Sequence, residues 1–100
     1  MTVKSLEPIT TAKLLATVKL SLNINGDHFD MTLNPLIEEV KGYMSSAGVN
    51  DDVLSSTLAV GCIARGVSDL WNYGNGDTKL SAYFYERVDQ LRMIEVANNG

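Results

Sequence analysis

Asp52-Val53-Leu54-Ser55-Ser56-Thr57-Leu58-Ala59-Val60-Gly61-Cys62-Ile63-Ala64-Arg65-Gly66-Val67-Ser68-Asp69-Leu70-Trp71-Asn72-Tyr73 is the longest run of helical pattern in this chain, and its apolar positions decide the fold. Val53, Leu54, Leu58, Val60, Cys62, Ile63, Val67, Leu70 and Trp71 spread over more than one helical face, as in a helix with neighbours on several sides. The spacing predicts a helix over about 52–73, the third of the chain and its central, most buried element. Ala59, Gly61, Ala64 and Gly66 punctuate it. Each glycine costs up to about 1 kcal/mol of helix propensity, but small residues let backbones approach, so tight helix crossings are expected. Asn50, Asp51 and Asp52 supply capping oxygens and negative charge where the helix dipole is positive.

Upstream, Leu33, Ile37, Val40 and Met44 form one stripe, with Glu38, Glu39 and Lys41 off it. Pro35 fits only near a first turn, which places the start of this second helix between Asp30 and Asn34, and its end before Gly48. A first helix over about 11–23 follows from a Thr10 or Thr11 cap, from Leu14, Leu15, Val18 and Leu22, and from the stop Asn23-Ile24-Asn25-Gly26. Residues 1–9, with Pro8, read as a flexible arm. Downstream, Asn72-Tyr73-Gly74-Asn75-Gly76-Asp77-Thr78 is rich in residues that accept turn conformations, so the chain reverses there, with a short hairpin tip as an alternative. Leu80, Phe84, Val88, Leu91 and Ile94 then predict a fourth helix over about 80–96, with Asp89 and Arg92 placed to pair on its outer side. Residues 97–100 are expected to fray. No repeat, heptad run or linker divides the chain, so it reads as all-α, one compact bundle of about four helices over 10–96.

The hydrophobic content of 45% and charged content of 20% are those of a globular domain. No apolar run approaches the roughly 18 residues of a membrane helix, and no leader pattern opens the chain; a soluble, unprocessed protein is expected. The net charge is −4 and the pI about 4.7, with eight basic residues scattered along the length. Proteins that grip duplex DNA gather Lys and Arg on one face, so nucleic acid is disfavoured as a direct ligand. The single cysteine, Cys62, has no partner for an intramolecular disulfide, which fits a reducing compartment.

Groups that carry chemistry are sparse. His28, the single histidine, lies in a turn between Asp27 and Phe29 and reads as solvated rather than catalytic. Cys62 sits in the apolar stretch and reads as a small core residue rather than a reactive thiol. Asn23, Asn25 and Asp27 space oxygens as a calcium loop does, but Gly26 is misplaced and Asn34 stands where a bidentate Glu belongs. The pairs Glu38-Glu39 and Asp51-Asp52 read as solvated or capping carboxylates. Asn72 to Asp77 lacks the order and the preceding strand of a phosphate-binding loop. No enzyme, cofactor, metal or small-molecule substrate is expected.

Five of the seven aromatics fall between Trp71 and Tyr85. Spacing makes Trp71 and Phe84 core residues. Tyr83 and Tyr85 lie about 200° apart around a helix, so the two cannot both point inward. Exposed tyrosine beside Arg87 is a composition favoured at protein interfaces, and the expected contact residues are Tyr73, Asn75, Asp77, Lys79, Tyr85, Arg87 and Arg92.

Over residues 10–94 this layout resembles the small head-tail connector, or adaptor, proteins of tailed bacteriophages and prophages. The resemblance is carried by Leu14, Leu15, Val18 and Lys19, by the acidic turn Asp27 to Asp30, and by Leu33, Leu36, Ile37 and Val40. It continues with the small-residue-rich helix ending Leu70-Trp71-Asn72-Tyr73 and the closing Val88, Gln90, Leu91 and Arg92. Gln90-Leu91-Arg92 is similar to the closing signature of the DNA-packaging group named for Gln-Leu-Arg-Gly, with Met93 in place of the Gly. The resemblance implies a non-enzymatic virion part, assembled in the bacterial host cytoplasm and placed at the virion neck. There a homo-oligomeric ring would sit on the portal, help close the DNA-filled head and join the tail proteins, with DNA passing nearby at most and no membrane involved. The alternative is a small helix-turn-helix-like DNA-binding regulator with Gly48 in the turn and the third helix in the groove.

Overall fold

The computed structural model describes residues 2–3, 5–72 and 80–96. Five helices follow a two-residue strand: β1 (Thr2–Val3), α1 (Thr11–Ser21), α2 (Asp30–Ser46), α3 (Asp51–Leu54), a 3-10 turn (Thr57–Ala59), α4 (Val60–Asn72) and α5 (Ala82–Arg92), with β2 (Glu95–Val96) closing the order. The all-α expectation holds. Thr10 caps α1 through the Lys13 N–H, and Asn23, with φ of 60°, ends it in the left-handed conformation that asparagine tolerates. Helix α2 starts at Asp30. Its Pro35 is the sixth residue, one turn further in than the first-turn placement expected, and it is exposed, so the ring that removes one helical hydrogen bond faces outward and not into the core.

The long third helix is the main correction. It is interrupted at Ser55 and Ser56, so its first residues form the single turn α3, and the central element is the shorter α4. The fully buried Ser56 is extended; its hydroxyl donates to the Val53 carbonyl at 2.6 Å and accepts the Leu58 N–H at 3.2 Å. A serine hydroxyl that serves both neighbouring turns competes directly with the helix. The backbone groups freed there are taken by the N-terminal segment: Ile9 N–H donates to the Ser55 carbonyl at 3.0 Å and Thr57 N–H to the Glu7 carbonyl at 2.8 Å. Leu6 and Ile9 pack on the core, and β1 pairs in parallel with β2. The segment read as a loose arm is thus tied down at two places along its length. The last helix is also shorter than its pattern, because Glu95 and Val96 leave it to make that strand pair.

Helix α4 has α1, α2 and α5 against it. The core it organises comprises Leu14 and Val18 of α1, Leu33, Ile37, Val40 and Met44 of α2, Cys62, Ile63 and Val67 of α4, and Phe84, Val88 and Leu91 of α5. Gly66 makes the tight crossing: a Cβ there would lie 2.7 Å from Phe84 Cε1 and 2.8 Å from Val40 Cγ1. Gly61 does not, since a Cβ at that position meets nothing within 4 Å. Gly66→Ala is expected to cost about 1–2 kcal/mol in urea unfolding, an overpacking penalty partly offset by better helix propensity. Gly61→Ala is expected to stabilise the isolated chain slightly, and equal effects at the two sites would contradict this assignment.

The molecule is only 17 Å thick. Helix axes pack about 8–10 Å apart, so the short axis holds two layers at most, and every long helix keeps a solvent-facing side.

Candidate functional site

Ser81 starts α5 and fixes its direction. Its hydroxyl accepts the Phe84 N–H at 3.2 Å, and its own N–H donates to Asp69 Oδ2 at 2.9 Å. Asp69 is 6% exposed and pairs through Oδ1 with Arg65 Nε at 3.2 Å, one turn back on α4; Arg65 Nε also reaches the Ser81 hydroxyl at 3.3 Å. An α4 carboxylate therefore holds the start of α5.

From that start α5 divides its aromatics three ways. Phe84 goes inward and is fully buried. Tyr83 turns to the α4 side, where the Arg65 guanidinium carbon lies 5.6 Å from its ring centroid. Tyr85 turns to the α2 side and meets Tyr43 edge-on at 5.7 Å. Tyr43, Tyr83 and Tyr85 are 39%, 59% and 42% exposed, so each has one half fixed by packing and one half offered to solvent. Such amphipathic rings lose little conformational freedom on binding a partner.

Of the expected contact residues, Tyr73, Asn75, Asp77 and Lys79 lie outside the described residues. Tyr85, Arg87 and Arg92 share α5 but not one face. Tyr85 and Arg92, seven apart, lie on the same side, and Arg92 Nε pairs with Asp89 Oδ1 at 3.3 Å, as the spacing predicts. Arg87 belongs to the Tyr83 side. It is half-buried, donates to Gln90 Oε1 at 2.7 Å, and lines with Tyr83, Glu86 and Gln90 a shallow polar cleft of about 300 Å³.

A second feature is a groove of about 470 Å³ between α1 and α4, lined by Thr17, Ser21, Gly61, Ala64, Arg65, Ser68 and Tyr83. At the other end of α4, Trp71 is half-buried rather than fully core. It meets Phe29 edge-on at 5.2 Å, and Phe29 meets the exposed His28 at 4.8 Å. Cys62 is buried with its Sγ 4.0 Å from the Phe84 carbonyl; burial pushes the thiol up to about 11, against the opposing pull of the Arg87 charge. It is protonated at neutral pH and hence a poor nucleophile. Among the described residues, no three or more His, Cys, Asp or Glu side chains gather as a metal site needs.

No family model, curated protein or solved structure matches this chain. The residues missed from sequence are Tyr43, Asp69 and the groove. Tyr43 sits off the apolar stripe of α2, next to Met44, and that position was its one signal. Asp69, a lone acid in an apolar run, signalled a buried partner whose identity only the fold supplies.

Proposed function

We propose that this protein is a structural connector of a tailed phage or prophage. It assembles as a homo-oligomeric ring on the portal at the virion neck, where it helps close the DNA-filled head and join the tail. The reading rests on the layout of residues 10–94 described above. One structural observation carries it further: α5 presents Tyr83 and Tyr85 on two different sides of a thin molecule, each braced by another helix. A subunit with two unlike contact faces associates head to tail, and such contacts close into rings when the rotation permits.

Native mass spectrometry and light scattering, with and without purified portal, test this reading. Wild-type chain is expected to form a ring alone or on the portal. Tyr85→Ala is expected to weaken that assembly about tenfold or more, in the range of an interface aromatic, while the melting curve of the monomer shifts little. A chain that stays monomeric and ignores the portal defeats the proposal. Nothing specific favours the regulator. Its reading element would be α3, a single turn with Asp51 and Asp52 exposed, which repels phosphates.

A further inference from the structure

We infer that the groove between α1 and α4 is the receiving side of the subunit contact, and that its occupant is the outer face of α2 from a second copy of this chain. The inference rests on the self-assembly reading and names the partner of each face. Charge complementarity selects the occupant. Arg65, whose charge is shared with the buried Asp69, is the one charged residue lining the groove, and Lys13, exposed one turn from Thr17 on α1 and in no ion pair among the described residues, adds positive charge beside it. The hydrogen bond of the Arg65 guanidinium to Ser81 and its ion pair with Asp69 both use Nε, leaving its Nη groups for an incoming carboxylate.

The outer face of α2 carries the matching groups. Glu38 and Glu39 are exposed and make no ion pair among the described residues, on the longest of the described helices. Glu39 stands one turn before Tyr43, so the acidic pair continues into the Tyr43 and Tyr85 surface. Val40 packs against Gly66 between α2 and α4, whereas Gly61, Arg65 and Ser68 face away into the groove, which puts donor and receiver on different sides of one subunit. Gly61 has open space beyond its Cα and none of the close neighbours that explain Gly66. A helix seated in the groove would occupy that space.

Charge reversal on each side tests the pairing. The double variant Glu38→Lys, Glu39→Lys reverses the donor. Thr17→Glu, Ser21→Glu reverses the receiver without touching Arg65, which also contacts Asp69 and Ser81 within its own subunit. Both variants are expected to keep wild-type helical circular dichroism, and each is expected to self-associate at least about tenfold more weakly in sedimentation equilibrium. An equimolar mixture is expected to regain association, because every contact in an alternating assembly then joins opposite charges. Undiminished association of either folded variant overturns the groove assignment while leaving the assembly reading standing, and so does a mixture that stays apart. Wild-type chain that binds portal but never itself also overturns it alone; failure to bind either overturns both.

Discussion

Phe84→Ala is expected to lower the stability of the folded chain by about 3–5 kcal/mol, the range for removing a buried phenylalanine. The upper part of that range applies because the site has little to collapse with. The ring is fully buried, its edge lies where a Gly66 Cβ would be, and Val40 beside it is buried as well. Glycine has no side chain to move into the void, and the helix crossing that it permits is held by the ring itself. A domain of this size has about 5–15 kcal/mol in total. The change therefore removes a large share of it, and the thermal midpoint is expected to fall by about 15 °C or more. Phe84→Leu, which keeps most of the volume, is expected to lose clearly less. Chemical denaturation of the three proteins measures this, and a loss below about 1 kcal/mol for the alanine variant would show that α4 and α5 are held together elsewhere. Because Tyr83 and Tyr85 flank Phe84, the same variant is expected to loosen both proposed contact faces.

The contrast between Phe84 and its neighbours shows what was legible before the fold was known. Period-3.6 patterning placed Leu33, Ile37, Val40 and Met44 on one stripe, and Leu80, Phe84, Val88, Leu91 and Ile94 on another, and the structure buries all of them except Leu80 and Ile94, which are half-buried. Patterning reports which face is apolar; it does not report continuity. Ser55-Ser56-Thr57 carried the signal of a new start inside the apparent long helix, since hydroxyls that cap a turn also interrupt one, yet the apolar residues on both sides kept a helical spacing across the break. Both glycines of α4 looked equivalent for the same reason. Only the third dimension shows that Gly66 faces Phe84 and Val40 and that Gly61 faces open space. The candidate interface suffered most. Helix geometry separates Tyr83 from Tyr85, but it does not say which helix braces each ring, and Tyr43 and Arg65 come from distant segments. A groove formed by α1 and α4 has no sequence signature at all, because its lining is drawn from three helices.

Asp69→Ala is expected to cost about 2–3 kcal/mol, chiefly through the Ser81 N–H and only slightly through the ion pair. Arg65 is half exposed, with 50% of its side chain accessible, so its attraction to Asp69 is screened by water and worth about 1 kcal/mol at most. The bond from the Ser81 N–H to Asp69 Oδ2, at 2.9 Å, joins a backbone donor to a buried carboxylate, and hydrogen bonds to charged groups contribute about 1.5–3 kcal/mol. Asp69→Asn keeps an acceptor oxygen in place and is expected to recover at least half of the loss; Arg65→Ala is expected to cost under about 1 kcal/mol. If Arg65→Ala proves as damaging as Asp69→Ala, or if Asn proves no better than Ala, the ion pair and not the amide bond carries the joint. Hydrogen exchange locates the effect: the Ser81 and Phe84 amides are expected to lose protection in Asp69→Ala before the amides at the centre of α2 do. The order follows from the connectivity, since Ser81 both receives its anchor from Asp69 and gives α5 its cap. Loosening that residue frees the first turn of α5, where Tyr83 and Tyr85 begin to diverge, without opening the packing of α2 on α4. A buried acid that looks purely structural thereby anchors the start of the helix that carries both faces self-assembly is proposed to use.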